Sequence, residues 1–552
     1  MLSFFIDNMA PIMFAALVVF LLLGYPAAFS LGAVGLIFAL IGIELGLFVP
    51  DFLQALPERV YGVMSNDTLL AIPFFTFMGL VLERSGMAED LLDTIGQLFG
   101  TVRGGLAYAV VFVGALLAAT TGVVAASVIS MGLISLPIML RYGYDRRVAS
   151  GVIAASGTLA QIIPPSLVLI VMADQLGKSV GDMYEGAFIP GLVLSGLYAF
   201  YVFLVSVLYP KATPGLPVEA IGFREADGTR GLASLGVLTL ASIGFAWFAM
   251  QGATSHGADF VVLSMFNGIL FAFAIAIVNW LTNRFLGFRF LSHIAQQTTF
   301  VMVPPLFLIF LVLGTIFIGV ATPTEGGAMG ASGALILGAL KRRLTWDLIR
   351  QAVESTAKLS AFVVFILLGA RVFSLTFYGV SGHIWVEHLL TSLPGGQIGF
   401  LIFVNAFVFV LAFFLDFFEL AFIIIPLLGP AAEKLGIDLI WFGVILGVNM
   451  QTSFMHPPFG FALFYLRSVA PKEHYTDRIT GLRMEPVTTG QIYWGAMPFV
   501  VIQVIMVLLV IMFPAMVMHY KRGMSTIDPN TIKIDIPQID IPSFDNLPPI
   551  FK

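Results

Sequence analysis

One pattern of proline, glycine and aspartate occurs twice in this chain with the same spacing. Pro137 is followed by Gly143, Asp145 and Pro164-Pro165, and the same residue types recur 293 positions later, from Pro430 to Pro457-Pro458. Each double proline lies at the far end of an apolar stretch, where it interrupts a helix because proline has no N–H to donate. Interrupted helices at matching places in two halves of a membrane protein indicate a transport site near the middle of the bilayer. Ordinary proline kinks would explain one copy, but not five positions matched in both.

The chain has the composition of a membrane protein. Of its 552 residues, 59% are hydrophobic and 11% are charged, whereas about a quarter of an average soluble domain is charged. Apolar stretches longer than 18 residues follow one another, and no strand-like alternation occurs, which predicts an all-α polytopic membrane protein. The chain has no cysteine and lacks the sequence motifs of zinc peptidases, serine hydrolases and phosphate-binding loops. We therefore do not expect an enzyme.

Basic residues predict how the two halves are oriented. Four arginines surround the base of the first predicted hairpin: Arg103, Arg141, Arg146 and Arg147. The base of the second hairpin has only Lys434, next to Glu433 and close to Asp438. Since Lys and Arg accumulate on the cytoplasmic side, the hairpins should enter the membrane from opposite faces. We predict about 12 transmembrane helices plus two re-entrant helical hairpins in an inverted repeat, the architecture of alternating access.

The repeat divides the chain into seven predicted segments. Two of them form a transport domain, each containing one hairpin and one broken helix, and most of the others form a scaffold. The segments are 1–102 (scaffold spans and an amphipathic arm), 103–187 (hairpin 1 and broken helix), 188–297 (scaffold, with an inserted span pair at 231–281), 298–394 (scaffold spans, with an amphipathic arm at 345–358 and a span at 359–378), 395–472 (hairpin 2 and broken helix), 473–520 (last span) and 521–552 (a tail that is disordered or docks as an extended strand).

Small polar side chains cluster at the two breaks and near the hairpin tips. Hard cations such as Na⁺ take several oxygen ligands, and the turn before a double proline exposes carbonyls that have no amide partner. We predict that the cation-binding residues are Thr120, Ser127, Ser156, Thr158, Gln161 and Pro164 in the first half and Asn449, Gln451, Thr452, Ser453 and His456 in the second. For any single hydroxyl the alternative is a bond to its own helix or close helix packing. That alternative does not explain the clustering at both breaks.

The hairpin tips suit a carboxylate, because free N–H groups at helix N-termini carry partial positive charge. The predicted substrate-binding residues are Thr121, Gly122, Ser166, Asp416, Glu419 and Arg371. Asp416 and Glu419 are costly at membrane depth, so they either act in transport or lie at a tip that reaches water. Arg371 interrupts an apolar run and is a counter-ion, for substrate or for the acidic pair, or it extends to the interface. His456 is either a hydrogen-bonded structural residue or a proton carrier, and Thr322 to Glu325 predict a helix cap rather than a ligand site.

Short motifs between Gly24 and about Pro471 resemble those of one transporter family. They are Leu70-Ala-Ile-Pro73, Met78-Gly79, Arg103-Gly-Gly-Leu106, Arg141-Tyr-Gly-Tyr-Asp145, Ile162-Ile-Pro-Pro-Ser166, Ala321-Thr-Pro-Thr-Glu325, Leu435-Gly-Ile-Asp438 and Phe442-Gly-Val444. Together they resemble the large membrane subunit of tripartite ATP-independent periplasmic (TRAP) transporters, in its longer-chain branch. The family usually has Ser-Gly-Ser-Ser where this chain has Thr121-Gly-Val-Val, and threonine where it has His456.

The resemblance implies an elevator-type fold like that of the ion-transporter superfamily and Na⁺-coupled import of a small organic acid. It implies a multi-pass protein of the bacterial inner membrane with two partners, a small four-helix membrane subunit and a periplasmic substrate-binding protein. No cofactor other than the coupling Na⁺ and no nucleic acid is expected. The alternative is a stand-alone divalent-anion/Na⁺ symporter that needs no binding protein. A channel is disfavoured, because its pore would be lined by symmetric rings from several subunits rather than by an internal repeat.

Overall fold

The computed structural model describes residues 2–121, 124–222, 225, 228–252, 258–477 and 479–519. The described chain is almost entirely helical. The first half contains α1 (Leu2–Asp7), α2 (Met9–Leu22), α3 (Ala27–Glu44), α4 (Leu56–Met64), α5 (Ala71–Arg84), α6 (Met87–Phe99), α7 (Gly105–Thr121), α8 (Val124–Arg141), α9 (Arg146–Thr158), α10 (Leu167–Leu176) and α11 (Val180–Leu208).

An inserted pair and a second set of helices complete the chain. The pair is α12 (Leu232–Ala249) and α13 (Ala258–Leu286). The second set is α14 (His293–Phe317), α15 (Pro323–Leu340), α16 (Trp346–Gly379), α17 (Gly382–Thr391), α18 (Gly396–Leu411), α19 (Phe417–Ile423), α20 (Ile425–Lys434), α21 (Leu439–Met450), α22 (Phe461–Val469), α23 (Thr489–Met512) and α24 (Ala515–Met518). Two-residue strands β1 (Tyr475–Thr476) and β2 (Arg483–Met484) pair antiparallel between α22 and α23. Five short 3₁₀ segments also occur: Pro50–Ala55, Asp67–Leu70, Leu159–Gln161, Val218–Ala220 and Gln451–Phe454.

The order of elements in the second set repeats that in the first. Helix α8 covers residues 124–141. A shift of 293 positions moves this range onto residues 417–434, which is the range from the start of α19 to the end of α20. In the same register α9 matches α21, and α10 matches α22. The order and spacing of these helices are therefore the same in the two halves, and α12 and α13 lie between them in the sequence.

The repeated glycine and aspartate form a helix–turn–helix joint. Gly143 and Gly436 both have positive φ, +82° and +73°, a backbone conformation that glycine adopts without steric cost and that ends a helix. Two residues later, the Asp145 carboxylate accepts hydrogen bonds from the N–H groups of the next helix at 2.8 and 3.3 Å, and Asp438 does the same at 2.9 and 3.0 Å. Each aspartate is thus the N-cap of the broken helix that follows.

Both broken helices end in the same way. After α9 and α21 the chain tightens into a 3₁₀ turn, Leu159–Gln161 or Gln451–Phe454, and then passes through the double proline before the helix resumes. The Pro164-Pro165 and Pro457-Pro458 bonds are both cis. The two predicted breaks are confirmed.

The two halves pack crosswise through small residues. In the first half, Gly132 of α8 lies against Leu466 and Val469 of α22, and in the second half Gly429 of α20 lies against Leu176 of α10. Close approach of helix backbones at glycine is a common way for membrane helices to associate. Each hairpin therefore packs on the resumed part of the other half's broken helix.

By length and composition, eight of the described helices can cross a membrane, or ten if each of two bent pairs counts as one span. The predicted count of about twelve includes shorter elements such as α2 and the two broken helices. The predicted arm at 345–358 and the span at 359–378 are wrong as separate elements, because α16 runs unbroken over 34 residues. The first half bends by 45° at the corresponding place, near Asn66. The predicted tail, residues 521–552, lies outside the described residues.

An ion pair links the loop between α22 and α23 to the base of the first hairpin. Asp477, beside β1, accepts hydrogen bonds from Arg141 Nε at 3.0 and 3.1 Å and forms an ion pair with Arg141 Nη2 at 2.9 Å. The Arg141 guanidinium and the Thr480 hydroxyl and N–H hold the pKa of the Asp477 carboxyl well below its usual range. This contact stabilises the fold at neutral pH, because a depressed carboxyl pKa contributes stability that is lost only in acid.

The capping role of the repeated aspartate can be tested at Asp438. Asp438→Ala should lower the free energy of unfolding by about 1 kcal/mol, because the first N–H groups of α21 lose their acceptor, whereas Asp438→Asn retains a capping oxygen and should cost much less. Thermal unfolding of the purified chain measures both. Equal losses in the two variants would contradict the cap and indicate that the charge matters instead.

Candidate functional site

The two breaks meet at a hydrogen bond between equivalent residues. Gln451 Nε2, at the end of α21, donates to Thr158 Oγ1, at the end of α9, over 3.0 Å. The two residues are 293 positions apart, which is the offset of the repeat. Both side chains are fully buried. Because a contact between equivalent positions lies where the two copies of a repeat meet, this bond marks the centre of the candidate site.

Two residues from the long helices after the breaks extend this contact. Gln503 of α23 donates through Nε2 to Tyr198 Oη of α11 at 2.9 Å and lies 3.5 Å from Thr158 Oγ1. The Thr158 hydroxyl itself donates to the Ala155 carbonyl at 2.8 Å. With one donor and two acceptor positions, the Thr158 hydroxyl is fully used. A network of four fully buried side chains therefore joins both halves.

Several buried oxygens of the two breaks, and that of Gln503, have no hydrogen-bond partner. Among the described residues of the network and the breaks they are Ser156 Oγ, Gln161 Oε1, Gln451 Oε1, Ser453 Oγ and Gln503 Oε1. Buried polar atoms are satisfied in the great majority of cases, so each exception requires an explanation. Uncharged buried oxygens of this kind are suitable ligands for a hard cation.

Other predicted cation-binding residues are engaged within the protein. Asn449 Nδ2 donates to the carbonyl and the side-chain oxygen of Asn405 in α18, at 2.8 and 2.9 Å, and the Thr452 hydroxyl donates to the Asn449 carbonyl at 2.6 Å. Ser127 is buried on α8. Pro164 lies in the first break and borders an apolar cavity of about 1000 Å³ that is also lined by α7, α11 and the inserted pair.

His456 packs between two aromatic rings beside the second double proline. Its ring centroid lies 4.1 Å from that of Phe413, nearly parallel, and 4.4 Å from that of Phe409, edge-on. The side chain is buried. The structure therefore gives His456 a packing role in the second break, and a role in proton or cation binding stays a prediction.

The acidic pair at the second tip caps a helix. Asp416 Oδ1 accepts from Glu419 N at 2.8 Å, and Glu419 Oε2 accepts from Asp416 N at 3.0 Å. This reciprocal arrangement is a capping box at the start of α19. Thr322 and Glu325 form another at α15, as the sequence predicts. The capping box gives both carboxylates a structural role, and contact with substrate stays a prediction.

The remaining predicted substrate residues are spread over several elements. Ser166 caps α10 and donates to the Gln161 carbonyl at 2.6 Å. Arg371 lies partly buried in the last third of α16 and borders a cavity of about 30 Å³ together with Gln175 of α10 and Phe422 of α19. It forms no ion pair with Asp416 or Glu419, so the structure does not contain the predicted pairing with the acidic residues. At the first tip, Gly122 and the side chains of Thr120 and Thr121 lie outside the described residues.

Sequence reasoning missed three members of the site: Asn405, Gln503 and Tyr198. Asn405 and Gln503 are single amides within long apolar runs, and a polar residue inside a membrane span is expected to have a function or a partner. That signal was available for both residues. Tyr198 has no comparable signal, because tyrosine is an ordinary residue of such runs and only the fold places its hydroxyl against Gln503.

The chain matches the model of one protein family over most of its length. Residues 14–221 and 229–516 match the model of the family described as "Tripartite ATP-independent periplasmic transporter, DctM component". The chain is 27% identical over 474 residues to the C4-dicarboxylate TRAP transporter large permease protein DctM of Pseudomonas aeruginosa, covering 85% of this chain and 90% of that protein. It is 22% identical to the sialic acid TRAP transporter permease protein SiaT of Haemophilus influenzae, covering 90% and 68%. A crystal structure of the YdaH transporter of Alcanivorax borkumensis aligns with a TM-score of 0.47 at 14% identity, covering 86% of this chain and 91% of that one.

A double-mutant cycle tests the central hydrogen bond. Thr158→Val should destabilise the chain by about 1–3 kcal/mol, because it leaves the buried Gln451 amide without its acceptor and removes the more distant of the two acceptors of the Gln503 amide. Gln451→Leu should cost less, and the two changes together should cost less than their sum by about 1 kcal/mol. Thermal or denaturant unfolding gives the free energy of unfolding of the wild-type chain, the two single variants and the double variant.

The matched control for this cycle is Thr299→Val. Thr299 is also buried, but its hydroxyl donates to the Ala295 carbonyl of its own helix, at 2.8 Å, and bonds to no other helix among the described residues. Strict additivity of Thr158→Val and Gln451→Leu would contradict a bond between the two breaks.

Proposed function

Because the chain belongs to the family of the DctM component of tripartite ATP-independent periplasmic transporters, we propose that it is the large permease subunit of such a transporter and imports a small carboxylate-bearing solute with Na⁺. It is a multi-pass membrane protein of a bacterial transporter family, and we place it in the inner membrane. The proposed mechanism is elevator-type alternating access, in which the hairpins and broken helices, together with the parts of α11 and α23 packed on them, move against the remaining spans. We do not assign it an enzymatic activity.

The observation that carries the proposed Na⁺ coupling is a set of five buried oxygens without a hydrogen-bond partner, four at the breaks and one on Gln503 of α23. All five belong to uncharged side chains, and three of them, those of Gln161, Gln451 and Gln503, are amide oxygens that bind a hard cation without bringing a counter-charge into the membrane. Gln451 and Gln503 are already held next to each other by the Thr158 hydroxyl. A cation bound here would contact both halves of the repeat at once.

A carboxylate-bearing solute is supported by the relatives and by Arg371. The two named relatives carry C4-dicarboxylates and sialic acid, both of which are carboxylates. Arg371 has no ion pair among the described residues and lies beside α19 and α10, so its charge is available to an anion. We propose that the solute lies between the two hairpin tips, Thr121-Gly122 and Asp416–Glu419, with Arg371 as its cationic partner.

Two partners complete the proposed transporter. One is a small four-helix membrane subunit, and the other is a periplasmic substrate-binding protein that delivers the solute. Family membership supports both partners. The competing assignment is a stand-alone carrier that takes its solute directly from solution, and it differs in requiring no delivery protein.

Uptake into proteoliposomes tests the proposal. Vesicles containing this chain and its small membrane subunit, with purified binding protein and a radiolabelled C4-dicarboxylate or sialic acid outside, should accumulate solute only when an inward Na⁺ gradient is present. Uptake that persists without the binding protein would instead support the stand-alone carrier. Uptake driven by a pH gradient and indifferent to Na⁺ would contradict Na⁺ coupling and would direct attention to His456, Asp416 and Glu419.

Variants of the unpartnered oxygens test the cation ligands. Gln161→Leu and Ser453→Ala should each raise the Na⁺ concentration for half-maximal uptake by about tenfold or more, because a bond to a charged ion is lost. Thr299→Val serves as the control, since its hydroxyl is bonded within its own helix. Unchanged Na⁺ dependence in both ligand variants would exclude these two oxygens from the cation site.

A further inference from the structure

A second repeated pattern lies after the breaks. Tyr184-Glu-Gly186-Ala187 in α11 corresponds to Tyr493-Trp-Gly495-Ala496 in α23, 309 positions later. This offset exceeds 293 by 16. The connection from α10 to α11 has three residues and that from α22 to α23 has nineteen, which accounts for the difference of 16. The tyrosine and glycine therefore occupy equivalent places in the two halves.

Each tyrosine hydroxyl binds the backbone of the break in its own half. Tyr184 Oη donates to the Ser166 carbonyl at 3.3 Å, directly after Pro165. Tyr493 Oη donates to the Pro458 carbonyl at 3.2 Å. Both carbonyls lie at the point where the chain leaves the double proline to resume its helix. Two equivalent residues thus make the same kind of contact with two equivalent backbone segments.

The glycine of each pattern contacts the opposite half. A Cβ atom on Gly186 would lie 3.0 Å from the Ile440 side chain of α21, and a Cβ atom on Gly495 would collide with the Arg147 carbonyl of α9. Gly151 of α9 faces Gly495 so closely that its own Cβ atom would collide with the Gly495 carbonyl. The tyrosine and the glycine are two residues apart on one helix. Each pattern therefore contacts the break of its own half and the first part of the broken helix of the opposite half, and it fixes the position of one relative to the other.

We propose that Tyr184 and Tyr493 are positioning residues that hold the backbone of the two breaks in the conformation that binds the coupling cation. The proposal rests on the cation function proposed above and extends it to residues that do not themselves touch the cation. Tyr184 is fully buried, whereas Tyr493 is partly exposed. If the Tyr493 hydroxyl is removed, water can replace it at the Pro458 carbonyl, whereas water cannot reach the Ser166 carbonyl as easily. Removing the Tyr184 hydroxyl should therefore weaken cation binding more than removing that of Tyr493.

The test uses the purified full-length chain and follows its thermal stability as NaCl replaces choline chloride at constant ionic strength. Tyr184→Phe should raise the Na⁺ concentration for half-maximal stabilisation by about fivefold, since one net hydrogen bond is lost. Tyr493→Phe should raise it by less. A purely structural role would lower the melting temperature equally at every Na⁺ concentration and leave that midpoint unchanged.

Tyr201→Phe is the matched control. Tyr201 lies on the same helix as Tyr184 and packs edge-on against Phe499 at 4.9 Å, so removing its hydroxyl should leave the Na⁺ midpoint at the wild-type value. If wild-type chain shows no stabilisation by Na⁺ over choline, the cation function and the role of the tyrosines both fail. If wild-type chain responds to Na⁺ but Tyr184→Phe has the wild-type midpoint, only the positioning role is overturned.

Discussion

A helix that breaks inside a membrane protein must find new partners for the polar groups it releases, because the lipid offers none. In this chain the two breaks supply partners for each other. The hydrogen bond from Gln451 to Thr158 joins positions that the repeat makes equivalent, and neither side chain reaches the surface. This bond therefore forms only when both halves are folded and docked on each other. The backbone carbonyl where the chain leaves each double proline is bound instead by a tyrosine of the same half, Tyr184 or Tyr493.

The helices around the breaks also pack against helices of the opposite half. Each hairpin lies on the resumed helix of the opposite half, and α11 and α23 lie on α21 and α9 of the opposite half through Gly186 and Gly495. Such contacts depend on the absence of a side chain, so they allow helices to approach closely without polar attraction. The polar attraction is concentrated at the centre, in Thr158, Gln451, Gln503 and Tyr198. A tightly packed apolar shell around a small neutral polar centre is well suited to binding a cation with uncharged ligands.

The features of this fold that depend on local rules can be predicted from the sequence. The proline breaks were predicted and lie where the spacing places them. The glycine turn and the aspartate caps were recognised only in the structure, although they follow from backbone chemistry within a few residues. Local rules were less reliable for α16, which has no proline or glycine between Trp346 and Leu368 to separate the predicted arm from the span. At Asp416 and Glu419 the local rule was available, because their spacing is that of a capping box, but the prediction rested only on their charge and a pairing with Arg371. Partners far apart in sequence, such as Gln503 with Tyr198, are fixed by helix packing, which a single sequence does not reveal.

The two breaks form one polar unit in this structure, and the proposed elevator movement requires that this unit stay intact as the protein works. The most direct measurement is the distance between Thr158 Oγ1 and Gln451 Nε2 in experimental structures of the transporter, with its membrane partner, trapped facing each side of the membrane. This distance is 3.0 Å in the structure described here. If the breaks move as one unit, it should stay within hydrogen-bonding range, at or below about 3.5 Å, in both states. A separation of several ångströms in either state would show that the halves part at their centre and would contradict the claim.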